Sequence, residues 1–178
     1  MTTMLSIRNA TASDATEIER MVADFVKGHR AENHPRSSSA LRAAYFGDRP
    51  VAHLLVAERH GEIVGMAQWR LIYDMFWSMF GASAEWLYVK PRYRGSGIVA
   101  ALVARVCAEA SGAGAKFVQG GGAEGPSRLY ERVAIGHSDR ACHLSGKAFQ
   151  VFAKLDGLPV REIVRRLPAK ELGLQPPD

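Results

Sequence analysis

Two cysteines, Cys107 and Cys142, are all that 178 residues contain, too few and too far apart for a disulfide framework or a zinc knuckle. A reducing, cytoplasmic setting is therefore expected. No apolar run approaches the ~18 residues that a membrane span needs, so no membrane association is expected. Met1 to Arg8 lacks the basic start and apolar stretch of a secretory leader. The histidines at 29, 34, 53, 60, 137 and 143 fall at no ligand spacing, so no metal is expected. There is no uninterrupted basic run, no helix-turn-helix and no ribonucleoprotein motif. A net charge of +5 thus does not by itself point to nucleic acid as a partner.

What is present fits one soluble globular domain, with 47% hydrophobic and 23% charged residues. Leu5 to Thr11 reads as a short strand. Ser13 and Asp14 then supply helix-start chemistry, and Ile18, Met21, Val22 and Phe25 at helical spacing predict a helix from Asp14 to Lys27. His29 to Ser39 is polar and reads as a loop, and Ser39 to Phe46 as a second helix. Val51–Arg59 and Glu62–Tyr73 flank the turn His60-Gly61 and predict a hairpin. Asp74 to Ala82 reads as an aromatic-rich connection and Ala84–Val89 as a strand ended by Pro91. A helix over Gly97–Ala110 shows Ile98, Val99, Leu102, Val103 and Val106 on one face. A strand over Lys116–Gly120, a glycine loop and a short helix over Pro126–Val133 follow. Two strand pieces are expected around Ser145-Gly146, then an amphipathic tail with Val160, Ile163, Val164 and Leu167. The expected layout is α/β (an α+β arrangement) around one sheet.

The informative stretch is Glu85-Trp-Leu-Tyr-Val-Lys-Pro-Arg-Tyr-Arg-Gly-Ser-Gly-Ile-Val, a strand entering a two-glycine loop that opens a helix. The first amides of a helix have no internal acceptor, and its dipole leaves partial positive charge there. Glycine lets the backbone come close to an anion and aim successive N–H groups at it. Lys90, Arg92 and Arg94 add full charge, so a pyrophosphate is the natural guest. Gly95-Ser-Gly97-Ile-Val-Ala100 also matches G-x-G-x-x-A superficially, but a dinucleotide fold would end its first strand at the first glycine. It would also place an acid at the end of the next strand, which here ends in Gln119.

Val89-x-Pro91-x-x-Arg94-Gly95-x-Gly97-Ile98 resembles the acetyl-CoA loop of the GNAT superfamily, Gln/Arg-x-x-Gly-x-Gly/Ala, with Val99 departing from the final small position. Val64-Gly65-Met-Ala and Leu129-Tyr130-Glu-Arg-Val-Ala-Ile-Gly136 also sit where that family has its third strand and final helix. The resemblance implies a GNAT-like fold over residues 1–155, with a mixed, mostly antiparallel sheet flanked by helices, and a helical appendage over 156–178. Leu55-Val-Ala-Glu58, Tyr73-Asp74 and Glu85-x-Leu-Tyr-Val are similar to diamine (spermidine/spermine) acetyltransferases, although Trp86 replaces an acidic residue of that subfamily.

The resemblance further implies N-acetyltransfer from acetyl-CoA to a primary amine. The acceptor is expected to be small, polyamine-like or amino-acid-derived, with a protein N-terminus or lysine as the alternative and a non-catalytic acyl-CoA-binding module as a different class. Leu87, Tyr88 and Val89 would pair with the pantetheine arm on a strand that splays from its neighbour, and Arg94, Gly95, Ser96, Gly97, Ile98 and Val99 would hold the pyrophosphate. Ala123 stands where the family often has a cofactor-contacting asparagine, and Ser127 can replace that contact. Tyr130 matches the family's general acid, since a phenol of ordinary pKa near ~10 can donate to a departing thiolate of pKa roughly 8.5. Glu85, expected on one strand face with Leu87 and Val89, can serve as a base through water or hold an ammonium group. Asp74 can line an amine pocket or cap its loop. The loop around Trp77 and the tail are candidate homodimer contacts.

Overall fold

The computed structural model describes residues 5–27, 38–121, 135–138 and 141–166. Its elements run β1 (Ser6–Asn9), α1 (Ala15–Lys27), α2 (Ser38–Phe46), β2 (His53–Arg59), β3 (Glu62–Asp74), β4 (Met79–Val89), α3 (Ile98–Gly112) and β5 (Phe117–Gly121). They continue with β6 (Ile135–Ser138), β7 (Ala141–Ser145), α4 (Gly146–Ala153) and α5 (Val160–Arg165). The seven strands form one sheet in the order β1-β2-β3-β4-β5-β7-β6. Only the β4–β5 contact is parallel, so the sheet is mixed and mostly antiparallel as expected.

The sheet separates two apolar cores. On one face Leu55, Ala67, Trp69 and Val89 pack against α3 through Ile98, Leu102 and Val106, joined by Phe149 and Phe152 of α4. On the other, Val56, Met66 and Tyr88 meet Ile18 and Met21 of α1. The alanines of α3 at 100, 101 and 104 are buried, and their small size lets that helix lie close to the strands.

Two sequence expectations are corrected. The aromatic connection Asp74–Ala82 is largely strand: β3 and β4 run on to Asp74 and Met79, and only four residues make the turn. An Asp74 carboxylate oxygen accepts the Trp77 N–H at 2.9 Å, and Ser78 takes a left-handed conformation, which closes the hairpin. The second strand piece expected after Gly146 is helix α4, because Ala148, Phe149, Phe152 and Leu155 recur at helical spacing and are all buried. The amphipathic helix expected in the tail forms as α5, with Ile163 2% exposed within the α3 core. The expected helix Pro126–Val133 and almost all of the loop His29–Ser39 lie outside the described residues.

The junction of β1 and α1 is tied by charge. The Arg8 guanidinium grips Asp14 through two bonds of 2.7 and 3.0 Å and reaches Glu58 of β2 at 2.9 Å, while the Thr11 N–H donates to Asp14 at 2.7 Å. The Arg8 partner above all holds the Asp14 carboxyl down at about 2, from an ordinary 3.8. A carboxyl lowered this far contributes about 2 kcal/mol that is fully present above pH 4 and is lost as pH falls through 2. Replacing Asp14 by asparagine should therefore lower urea-unfolding stability by about 2 kcal/mol at pH 7. The difference from the unchanged protein should shrink when the pH is brought towards 2.

Candidate active site

The site begins where β4 departs from regular pairing. Gln68 stands opposite Trp86 and Arg70 opposite Ser83, so the single residue Trp69 faces two, Ala84 and Glu85. The extra residue is a β-bulge, and it breaks the strict alternation of side chains. Ala84 and Leu87, three apart, both pack toward α3, while Trp86 and Tyr88 lie against Phe25 of α1 at 5.0 and 5.9 Å. Glu85 accordingly does not share the face of Leu87 and Val89, which corrects the expectation from alternation. Its carboxylate accepts from the buried Ser83 hydroxyl at 3.0 Å and from Arg70 at 3.3 Å. It also lies near Tyr45 of α2, whose phenol is pushed up first by burial and then by the Glu85 charge.

At the same level the sheet opens. β4 pairs with β5 only at Ala82–Val118 and Ser83–Gln119, so among the described residues the strand has no ladder partner on the β5 side from Ala84 to Val89. A cavity of about 10 Å³ lined by Ala84, Leu87, Val103, Val118 and Gly120 marks the closed end of the wedge, room for no more than a single water. Backbone polar groups along this open edge are free to pair with an extended amide-bearing chain. Tyr88 and Val89 are 5% exposed, so their contribution there comes from backbone.

β4 ends at Val89, a short turn over Pro91–Tyr93 follows, and the chain enters α3 through Arg94-Gly95-Ser96-Gly97. Gly95 and Gly97 both take positive φ, 75° and 83°, a region costly for any residue with a Cβ. A Cβ on Gly97 would also lie 2.2 Å from a methyl of Val160 in α5. The first helical bond of α3 runs from the Ala101 N–H to the Gly97 carbonyl at 3.2 Å. The amides of Ile98, Val99 and Ala100 therefore have no acceptor one turn back within the helix. The Ser96 hydroxyl donates to the Tyr93 carbonyl at 2.5 Å and pins the turn.

The charge around this turn is distributed differently from the expectation. Lys90 pairs with Glu17 and Glu62, at 2.7 and 2.9 Å, and Arg92 also pairs with Glu62, which accepts the Tyr93 hydroxyl at 2.8 Å as well. Lys90, Arg92 and Tyr93 together hold the Glu62 carboxyl down at about 2. Two of the three cations expected to face an anion are thus already engaged by carboxylates. Among the described residues Arg94 meets no carboxylate: it donates to the Val89 carbonyl at 3.1 Å and stands 5.9 Å from the Tyr88 ring centre. Glu62 is the residue that sequence reasoning missed; only a pairing of β3 with the end of β4 reveals it.

The remaining candidates separate clearly. Asp74 closes the hairpin tip opposite Met79, six residues along β4 from Glu85, which at about 3.3 Å per residue is roughly 20 Å away. Trp69 is a core residue, 2% exposed, and donates to Glu109. Cys107 is fully buried, and burial pushes its thiol up, the opposite of a reactive cysteine. Among the described residues no group of three or more His, Cys, Asp or Glu is placed to hold a metal, and no helix is long and apolar enough to cross a membrane. Tyr130 and Ser127 lie outside the described residues.

Comparison with known proteins agrees with this fold. Residues 16–131 match the model of the acetyltransferase (GNAT) family. The chain is 35% identical over 109 residues to a thialysine N-epsilon-acetyltransferase of Mus musculus, covering 56% of this chain and 64% of the mouse protein. A counterpart from Bos taurus is 33% identical over the same length. Among solved structures, a ribosomal-protein-alanine N-acetyltransferase from Brucella melitensis biovar Abortus 2308 shares the fold with a TM-score of 0.63 at 21% identity, covering 76% of this chain and 93% of that one. An aminoglycoside acetyltransferase from an uncultured soil metagenomic sample shares it with a TM-score of 0.57 at 16% identity, over 68% and 79% of the two chains.

Proposed function

Because the chain belongs to the GNAT acetyltransferase family, we propose that it transfers the acetyl group of acetyl-CoA to a primary amine on a small polyamine-like or amino-acid-derived molecule. The observation that carries this reading is the coincidence of three features at the end of β4: the positive-φ turn of Gly95 and Gly97, the free first amides of α3, and the opened edge of the sheet beside Glu85. The residues present fit the co-substrate. Amides of residues 95–99 with Arg94 would hold the pyrophosphate, and backbone from Leu87 to Val89 would pair with the pantetheine arm. Bound there, acetyl-CoA supplies an activated thioester. Ser127 would add a further cofactor contact.

This chain's own residues would do the rest. Glu85, fixed by Ser83, holds the amine as an ammonium or takes its proton through water. Backbone N–H on the open edge near Val89 stabilises the oxyanion of the tetrahedral intermediate. Tyr130 returns a proton to the leaving thiolate. The 35% identical relative named for thialysine favours a small acceptor over a protein one. Asp74 fits the acceptor pocket less well than Glu85, being committed to the hairpin turn. Residues 1–155 form the acetyltransferase unit in this reading, with α5 from the segment 156–178 bracing its cofactor turn. A homodimer contact is best placed on the hairpin tip, where Met75 and Phe76 are 85% and 92% exposed.

The test is twofold. Titration calorimetry should show CoA and acetyl-CoA binding to the folded protein, and free-thiol release should appear with at least one member of a primary-amine panel. A well-folded protein that binds neither nucleotide sinks the reading. Binding without thiol release from any amine would favour an acyl-CoA-binding module instead.

A further inference from the structure

Arg70 and Glu85 form an ion pair on the acceptor side of the sheet, and we infer that this pair recognises the carboxylate and the ammonium of an amino-acid acceptor. The inference rests on the N-acetyltransferase reading and narrows it from primary amines in general to amines that also carry a carboxylate. Arg70 lies on β3 opposite Ser83, next to the β4 bulge, and shares its strand face with Met66, the face covered by α1 and α2. One of its guanidinium nitrogens sits 3.3 Å from the Glu85 carboxylate, whose orientation is set by the buried Ser83 hydroxyl at 3.0 Å. The two side chains are about half exposed, at 52% and 50%.

An ion pair so exposed adds little to stability, since water screens it and both side chains lose freedom in making it. It is therefore easily opened. An amino acid carries its own ammonium and carboxylate on a single carbon, and this spacing suits two protein charges standing side by side. Its ammonium can replace the guanidinium at Glu85 while its carboxylate takes the guanidinium, preferably through both Arg nitrogens. One ion pair is exchanged for two, and no charge is left unpartnered. A simple diamine cannot complete this exchange. It satisfies Glu85 but leaves Arg70 beside a like charge, and discrimination by an unpaired charge of this kind is an effective way to reject a competitor. Trp86, tilted against Phe25, offers no second carboxylate to compensate.

The experiment compares lysine and ornithine with their decarboxylated counterparts, cadaverine and putrescine, by thiol release from acetyl-CoA, in the unchanged protein and in Arg70→Gln and Arg70→Lys. The unchanged enzyme should prefer each amino acid over its diamine by at least about tenfold in kcat/KM, the scale of one charge-assisted contact. Arg70→Gln should erase that preference by lowering kcat/KM for the amino acids alone, Arg70→Lys should restore part of it, and the affinity for CoA should not move. Equal use of both classes by the unchanged enzyme, or a loss in Arg70→Gln that falls equally on amino acids and diamines, would overturn the assignment while leaving N-acetyltransfer intact. Absence of CoA binding in the unchanged protein would instead overturn the function beneath it.

Discussion

Replacing Gly97 by alanine is expected to remove about 3 kcal/mol of stability and to weaken CoA binding by about 100-fold or more. Two independent costs meet at this position. A residue with a Cβ held at φ 83° loses about 1–2 kcal/mol relative to glycine. The added methyl would also lie 2.2 Å from a Val160 methyl and 3.1 Å from one of Val164, and relieving such overlap costs about 1–3 kcal/mol. The cheapest relief shifts either α5 or the first turn of α3, and the second shift misdirects the amides of residues 98–100. Gly95 supplies the control. Its φ is similar at 75°, but a Cβ there meets nothing within 4 Å, so Gly95→Ala should cost only the backbone part, about 1 kcal/mol. Adding Val160→Ala to Gly97→Ala should recover part of the lost stability and leave the backbone part untouched. Urea unfolding and calorimetry with CoA measure both effects. Equal stability losses at the two glycines would show that α5 does not press on the turn.

The residues around this turn also show how far the sequence could be read. Local chemistry was legible: the strand ending at Pro91, the two glycines and the apolar stripe of α3 all follow from neighbours in the chain, and the structure places them as expected. Non-local facts were not. Glu62 takes Lys90 and Arg92 out of service across 28 and 30 residues, and a charge cluster read along the chain cannot show that its partner arrives from another strand. The bulge at Ala84-Glu85 is hidden for the same reason, since it exists only as a count of β4 residues against β3. One inserted residue turned Glu85 away from Leu87 and toward Arg70, a neighbour fifteen residues earlier. The misread strand at Gly146 is a different failure. There the short apolar run Ala148–Phe152 suits either period, and the burial of Leu155 further along decides for the helix.

Tyr130→Phe should lower kcat by about 100-fold or more while leaving CoA affinity within about twofold, the range expected when a positioned proton donor is lost. Acetyl transfer expels a thiolate, and the collapse of the tetrahedral intermediate is easier when a proton reaches sulfur as the C–S bond breaks. Phenylalanine keeps the ring and its packing and removes only the donor, so a change confined to kcat is what separates proton donation from a structural role. A merely packed tyrosine would lower thermal stability or CoA affinity and spare kcat. The amine KM offers a second discriminator: it should stay nearly constant if Glu85 and Arg70 hold the acceptor. An unchanged kcat in Tyr130→Phe would mean that the leaving thiolate takes its proton from water, and the opened edge of β4 with Glu85 would then have to account for the catalysis on their own.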